Sequence, residues 1–390
     1  MKLRLLRFVL DKLHARDCVL RVSIFLLLTA VSRLTGIAET AIDPRGAQFI
    51  GFKSFSNFEE SKGETPLEIV LTSPPISPKV NWDELVASWD AEMAETTYLK
   101  IEVRAIYLER ATKFYTMALW SGDPKKHPRE SVLHQKDSDG DVSTDTLMLK
   151  RAGGDLQVRL TLGGDDPLKP KLKFLGLCFL DSKATPDKLP PNKAAWGKTL
   201  AVPERSQMAY PNGKVLCSPT TVSMIMSWWA TELKRPELDH DVPEIVPQVY
   251  DANWHGTGNW PFNTAYAGSF KGMRGYVTRM TDVSELEDWI ANGIPVGLSL
   301  CYDRLRAKGP GPNGHLVVCV GFTEDGDVII NDPGTSKNVR KTFPRKNLIN
   351  AWAYSHNAAY MIYPEDADIP KDRFGHWDSW TSHQRIAFKQ

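Results

Sequence analysis

The chain carries no surplus of either charge: 48 lysines and arginines stand against 47 aspartates and glutamates in 390 residues. Without a field of one sign, neither nucleic acid nor an anionic membrane surface is expected as a partner. Cysteine is scarce, with five in all, which argues against a disulfide-stapled scaffold of the small secreted kind. Neither Cys-x-x-Cys nor His-Glu-x-x-His occurs, so no metal and no other cofactor is expected. Long hydrophobic runs are missing too. The uncharged stretch Val22 to Ser32 spans eleven residues, against roughly 20 for a helix that crosses a bilayer.

That short run has a recognisable setting. Lys2, Arg4, Arg7, Lys12, Arg16 and Arg21 precede it, Arg33 closes it, and Ala38 and Ala41 follow. This is the layout of a secretory signal with a small-residue cleavage site; an uncleaved N-terminal anchor is the alternative for residues 1–45. Both predict an exported protein, periplasmic or extracellular. Cys18 lies inside this segment, which leaves Cys178, Cys217, Cys301 and Cys319. Buried free thiols are favoured over a Cys301–Cys319 bridge.

Apolar content of 42% and charged content of 24% are ordinary for globular chains, and the length has room for two domains. Residues 46–182 read as β-rich. Leu156, Val158, Leu160 and Leu162 repeat with a period of two, as do Leu172, Phe174, Gly176 and Cys178. Short amphipathic strands separated by turn clusters predict an antiparallel β-sandwich. The cluster Asp137 to Asp141 is read as a turn, because its glycine and Met148 fall in the wrong places for a calcium loop. Residues 183–199, with Pro186, Pro190, Pro191 and several lysines, have linker composition. From residue 200 to 363 helix and strand mix. Val222, Ile225, Met226 and Trp229 recur at helical spacing after Cys217, with Pro219 in the first turn. Ser284 to Glu287 reads as a capping box, and Gly293 as the end of that helix. Residues 364–390 read as an extension without its own core. The fold class expected is α+β: a papain-like domain preceded by an antiparallel β-sandwich.

Chemistry concentrates in three places. Cys217 stands where the loop Tyr210 to Lys214 gives way to a helix, and a helix start favours a thiolate. His315 opens an apolar strand, and Asp332 closes the next one across Asp325-Gly326. A two-residue turn would set Asp332 opposite Cys319, on the face of His315 but four residues out of line. A longer loop or a bulge is needed to close the gap. Cysteine, histidine and carboxylate together form an acyl-transfer triad. The Cys217 N–H and the Gln207 side chain are the oxyanion candidates. Trp254, Asn259 and Trp260, in and beside the loop Gly256 to Phe262, are candidates for lining a substrate cleft.

Ser206-Gln207-Met208, Cys217-Ser218-Pro219-Thr220, Gly258 to Asn263, Gly314-His315 and Asn331-Asp332-Pro333 resemble the cysteine peptidases of family thirty-nine, the bacteriocin-processing type with a papain-like fold. The resemblance implies a Cys217–His315–Asp332 triad and a glutamine lining the oxyanion hole. It departs at Ser218, where the exporter-linked members usually carry glycine, so cleavage of double-glycine leaders is not expected. The expectation is an exported cysteine hydrolase that cleaves amide bonds of peptides or cell-wall peptides by way of a thioester. The alternatives are a degenerate peptide- or glycan-binding protein and an acyl transferase using the same triad.

Overall fold

A computed structural model describes residues 45–373 and 375–377. The N-terminal signal or anchor, Cys18 with it, and the end of the C-terminal extension lie outside the described residues. No helix among the described residues is long and apolar enough to cross a membrane.

Strands come first: β1 (Ala47–Phe52), β2 (Glu59–Lys62), β3 (Ile69–Thr72), β4 (Glu84–Glu92), β5 (Thr97–Ile106), β6 (Tyr115–Ser121), β7 (Gly140–Ser143), β8 (Thr146–Leu149), β9 (Asp155–Gly164) and β10 (Lys171–Leu180). They form two five-stranded antiparallel sheets, ordered β1-β10-β4-β8-β7 and β2-β3-β9-β5-β6. Leu156, Val158, Leu160 and Leu162, alternate residues of β9, are all buried, and they join Leu99, Ile101 and Val103 of β5 in a core that both sheets share. Asp137 accepts the N–H groups of Asp139 and Gly140 and so makes the turn into β7.

β10 is buried on both faces. Leu175, Leu177 and Phe179 enter the shared core, whereas Phe174 and Cys178 belong to a second core in the C-terminal half. β4 divides in the same way, with Leu85, Ala87, Trp89 and Ala91 on one side and Val86 on the other. Leu172 leaves the period-two set, because the register shifts between Leu172 and Phe174 and turns it to the opposite face.

The C-terminal half contains α1 (Cys217–Leu233), α2 (Val242–Val249), α3 (Trp260–Ser269), β11 (Met273–Arg279), α4 (Val283–Ala291), β12 (Val296–Cys301), α5 (Tyr302–Leu305), β13 (Gly314–Phe322), β14 (Val328–Asn331), β15 (Arg340–Phe343), α6 (Arg345–Trp352) and β16 (Ala358–Pro364). Its antiparallel sheet runs β11-β16-β12-β13-β14-β15. Val222, Ile225, Met226 and Trp229 of α1 are buried against this sheet. α4 begins earlier than the capping-box reading placed it. Asp282 is the N-cap and accepts the Ser284 N–H, while the Ser284 hydroxyl goes to the Leu189 carbonyl. Gly293, at φ 78°, follows the helix.

The two halves meet along the outer face of β1, β10 and β4. Asp90, fully buried, pairs with Arg274 at 2.8 Å, and both side chains are at most 4% exposed. The Ser88 hydroxyl accepts the Val277 N–H, and the Phe262 ring of α3 meets Trp89 and Trp120 edge-on. Residues 183–199 lie along α4, where Asn192 and Trp196 donate to Glu287. The C-terminal extension contributes Trp377, which packs on Phe49, Tyr276 and Trp289.

Burial lifts the Asp90 carboxyl to about 7, even though Arg274 pulls the other way. Removing the cation strands a buried carboxylate, so Arg274→Met should destabilise the protein by about 3–5 kcal/mol at neutral pH. An acid whose folded pKa is raised costs stability only above its unfolded value, near 4. The deficit in thermal denaturation should therefore shrink as pH falls from 7 to 4. A deficit that stays constant over this range would show that packing, not charge, is what Arg274 supplies.

Candidate active site

Cys217 is the first residue of α1, entered through the 3₁₀ turn Gly213–Val215. No side chain caps this end, so its N–H groups remain available to an anion. The turn must be tight: a Cβ on Gly213 would lie 2.2 Å from the Gln207 carbonyl oxygen. Cys217 is half-buried, whereas Cys178, Cys301 and Cys319 are buried. All four are free thiols. Cys301 pairs with Gly314 and Cys319 with Val296, at opposite ends of the β12–β13 ladder, so they do not bridge.

The hairpin of β13 and β14 brings His315 and Asp332 together by both of the devices the register required. The connection is longer than two residues, with Thr323 and Asp327 closing it. A bulge then inserts Val320, for Cys319 pairs with Ile330 but Gly321 pairs with Ile329. Beyond the bulge Val318 faces Asn331, so the same register sets Asp332 opposite Val317, diagonal to His315 on one face. Lys198 and Leu200 bond the backbone around the bulge, Leu200 N–H to the Val320 carbonyl at 2.7 Å and Phe322 N–H to that of Lys198 at 3.0 Å. His315 Nε2 lies 2.8 Å from Asp332 Oδ1, which leaves Nδ1 for the thiol.

Asp332 is held on several sides. Tyr302 donates its hydroxyl to Oδ2 at 2.7 Å, and the Gly334 N–H reaches Oδ1 at 2.9 Å. The Tyr302 ring also packs on the imidazole, tilted by 36° with centroids 4.2 Å apart. Tyr302 was missed in the sequence. Its relation to His315 arises only when β12 pairs with β13, and no local pattern announces that pairing. A Cβ on Gly334 would come within 3.0 Å of the imidazole, so glycine lets the Asp332 loop close over the ring.

The electrostatics follow from these contacts. Burial alone would lower the His315 pKa, but Asp332 and Cys217 outweigh it and raise it to about 9. Burial would raise the Cys217 thiol. The bond and charge of His315, with the N–H groups of Leu316 and Ser218, instead bring it below its ordinary value. Asp332 is also lowered: His315, Tyr302 and Gly334 prevail over its burial. By contrast, burial pushes Cys178 up to about 11 and Cys319 to about 12. The arrangement can hold a thiolate–imidazolium pair near neutral pH.

Cys217 and His315 open into a cavity of about 980 Å³, also lined by Trp254, Trp260, Val215, Met148, Tyr354 and Leu316. Asn259 lies outside that lining. It is 1% exposed, and its side chain is used up capping α3 and bonding Asp251. Gln207 is buried and is likewise not part of the lining. Its N–H bonds the Pro333 carbonyl, next to Asp332, and its Oε1 has no hydrogen-bond partner.

Residues 68–179 match the family described as Peptidase C39 N-terminal domain, and residues 199–360 match the Peptidase_C39 like family. The chain belongs to the C39 peptidases, with an N-terminal domain. No curated protein matches it. Among solved structures, the VPA0106 protein from Vibrio parahaemolyticus is 11% identical over 80% of this chain and 86% of that one. Its TM-score of 0.14 carries no argument.

For this C39 chain the ion pair has a direct readout. Iodoacetamide should alkylate Cys217 at a pH well below the value of about 8.5 for free cysteine. His315→Ala removes the partner that offsets burial, so its alkylation profile should move to higher pH. Superimposable profiles would mean that His315 does not tune the thiol.

Proposed function

We propose that this C39 chain is an exported cysteine peptidase, cleaving amide bonds of peptides or cell-wall peptides through a thioester. The observation that carries the reading is the half-buried Cys217 at a helix start, bonded to a histidine that a buried carboxylate holds. Export is supported by the basic stretch Lys2 to Arg21 and the apolar run after it. We read residues 46–182 as a β-sandwich accessory domain, 183–199 as the connection, and 200–363 as an α+β, papain-like hydrolase.

In this reading His315 takes the thiol proton, and the Cys217 sulfur bonds to the carbonyl carbon. The C=O π pair moves onto oxygen, where the Cys217 N–H and the Gln207 side chain are the donors we assign. When the tetrahedral species collapses, the C–N bond breaks and His315 protonates the leaving amine. Water then attacks the thioester, its proton returns to His315, and the acid and free thiol separate. Asp332 stays charged throughout and keeps Nδ1 aimed at the sulfur.

The test is digestion of a diverse peptide library in ¹⁸O-labelled water, read by mass spectrometry. New carboxyl ends should carry the label with wild type and not with Cys217→Ala. Label-free adducts formed with an added amine would identify acyl transfer. A reactive thiol that yields no product from any peptide would favour the binding-protein alternative, since the C39-like family includes inactive members.

Asp332→Asn should keep the fold and lower turnover by about 10⁴-fold, the loss seen when a triad carboxylate can no longer orient its imidazole. Turnover of the Asn variant within about tenfold of wild type would remove Asp332 from the triad.

A further inference from the structure

We infer that the β7–β8 hairpin of the N-terminal domain is a specificity wall of the active-site cleft, and that the cleft selects an extended peptide with a large apolar side chain beside the scissile bond. This rests on the peptidase reading and adds a substrate class to it. Ten large apolar side chains stand exposed among the described residues. Four of them, Met148, Val215, Trp254 and Tyr354, line the single cavity that holds Cys217 and His315. Apolar surface gathered around a nucleophile marks a binding site for apolar groups.

Met148 belongs to β8, and the hairpin tip Ser143 to Thr146 lines the same cavity. The tip is fixed. The buried Asp145 carboxylate accepts the N–H of Trp260, the first residue of α3, at 2.8 Å. Thr144 sits at φ 58°, a conformation that a β-branched residue adopts only at a cost. The loop that carries Trp254 is tied to the same domain. Oδ1 of buried Asp251 accepts the N–H groups of both Trp254 and Ser131, at 3.1 and 3.0 Å. Met148 and Trp254 are thus both positioned by bonds that cross between the halves. Of the charged groups in the cavity, Glu84 and Arg279 are paired with each other and the Asp145 carboxylate is taken by the Trp260 N–H, while Lys214 stands at the rim on the turn before Cys217.

The experiment uses the full chain and peptidyl vinyl sulfones that differ only at the residue next to the sulfone: Phe, Gly or Glu. The rate of Cys217 modification is followed by intact mass and divided by the iodoacetamide rate of the same variant, which corrects for thiol reactivity. Wild type should prefer Phe over Gly by about tenfold or more. That preference should fall toward unity in Met148→Ala and Trp254→Ala, and return in Met148→Leu. A preference that both alanine variants leave intact would overturn the wall. A preference for Glu would overturn the apolar class and point to Lys214 beside the nucleophile. If wild-type iodoacetamide reactivity is no greater than that of His315→Ala, the peptidase reading fails, and this inference fails with it.

Discussion

The described structure depends on three strands with no free face. β1, β10 and β4 turn alternate side chains to two different cores, so they are the floor of the N-terminal domain and the backing of the C39-like domain at once. Period two makes this cheap, because one strand supplies two apolar faces with no change of backbone. The Asp90–Arg274 pair fixes the match between the faces. Two charges taken out of water are tolerable only with each other, so a shifted or separated seam is strongly disfavoured. The described residues accordingly pack as one compact unit.

That seam also explains how the cleft is built. Its lining draws on β4 and the β7–β8 hairpin of one half, and on the Cys217 turn, the Trp254 loop and β13 of the other. Hydrogen bonds that cross between the halves, Asp145 to Trp260 and Asp251 to Ser131, hold the cleft walls in register. A site assembled this way inherits the rigidity of the interface. Its shape is as well defined as the packing beneath it.

Much of the site could be read from the sequence because its signals are local. A cysteine at a helix start and a histidine and aspartate bounding one hairpin are visible from periodicity and turn residues alone. What could not be read depends on partners far away along the chain. The loop length and the bulge at Val320 decide whether His315 and Asp332 meet. The bulge is steadied by Leu200 and by Gly321, where a Cβ would come 2.1 Å from the Lys198 oxygen. Tyr302 reaches Asp332 only through the pairing of β12 with β13. Asn259 looked like a cleft residue because it neighbours Trp260, yet as the N-cap of α3 it must turn inward. Phe174 and Cys178 were legible as a buried strand face, but not as a face buried against another domain. Alternation reports that a side is covered and not what covers it.

Three of the thiols, Cys178, Cys217 and Cys319, show what the site requires beyond a cysteine. Cys178 and Cys319 are buried, and for them burial outweighs the donors nearby and the Arg279 charge beside Cys178, driving the thiol away from ionisation. Cys217 suffers the same penalty and escapes it only because His315, Ser218 and Leu316 present donors or charge to the sulfur. Those contacts are strong because the surroundings are dry, since a low dielectric magnifies an ion pair as it penalises a lone charge. A fully exposed cysteine would lose the benefit to screening, and a fully enclosed one would meet no substrate. The edge between core and cleft is therefore where a nucleophile of this kind can work. Cys217, half-buried at the start of α1 with the cavity in front of it and the sheet behind, occupies that edge.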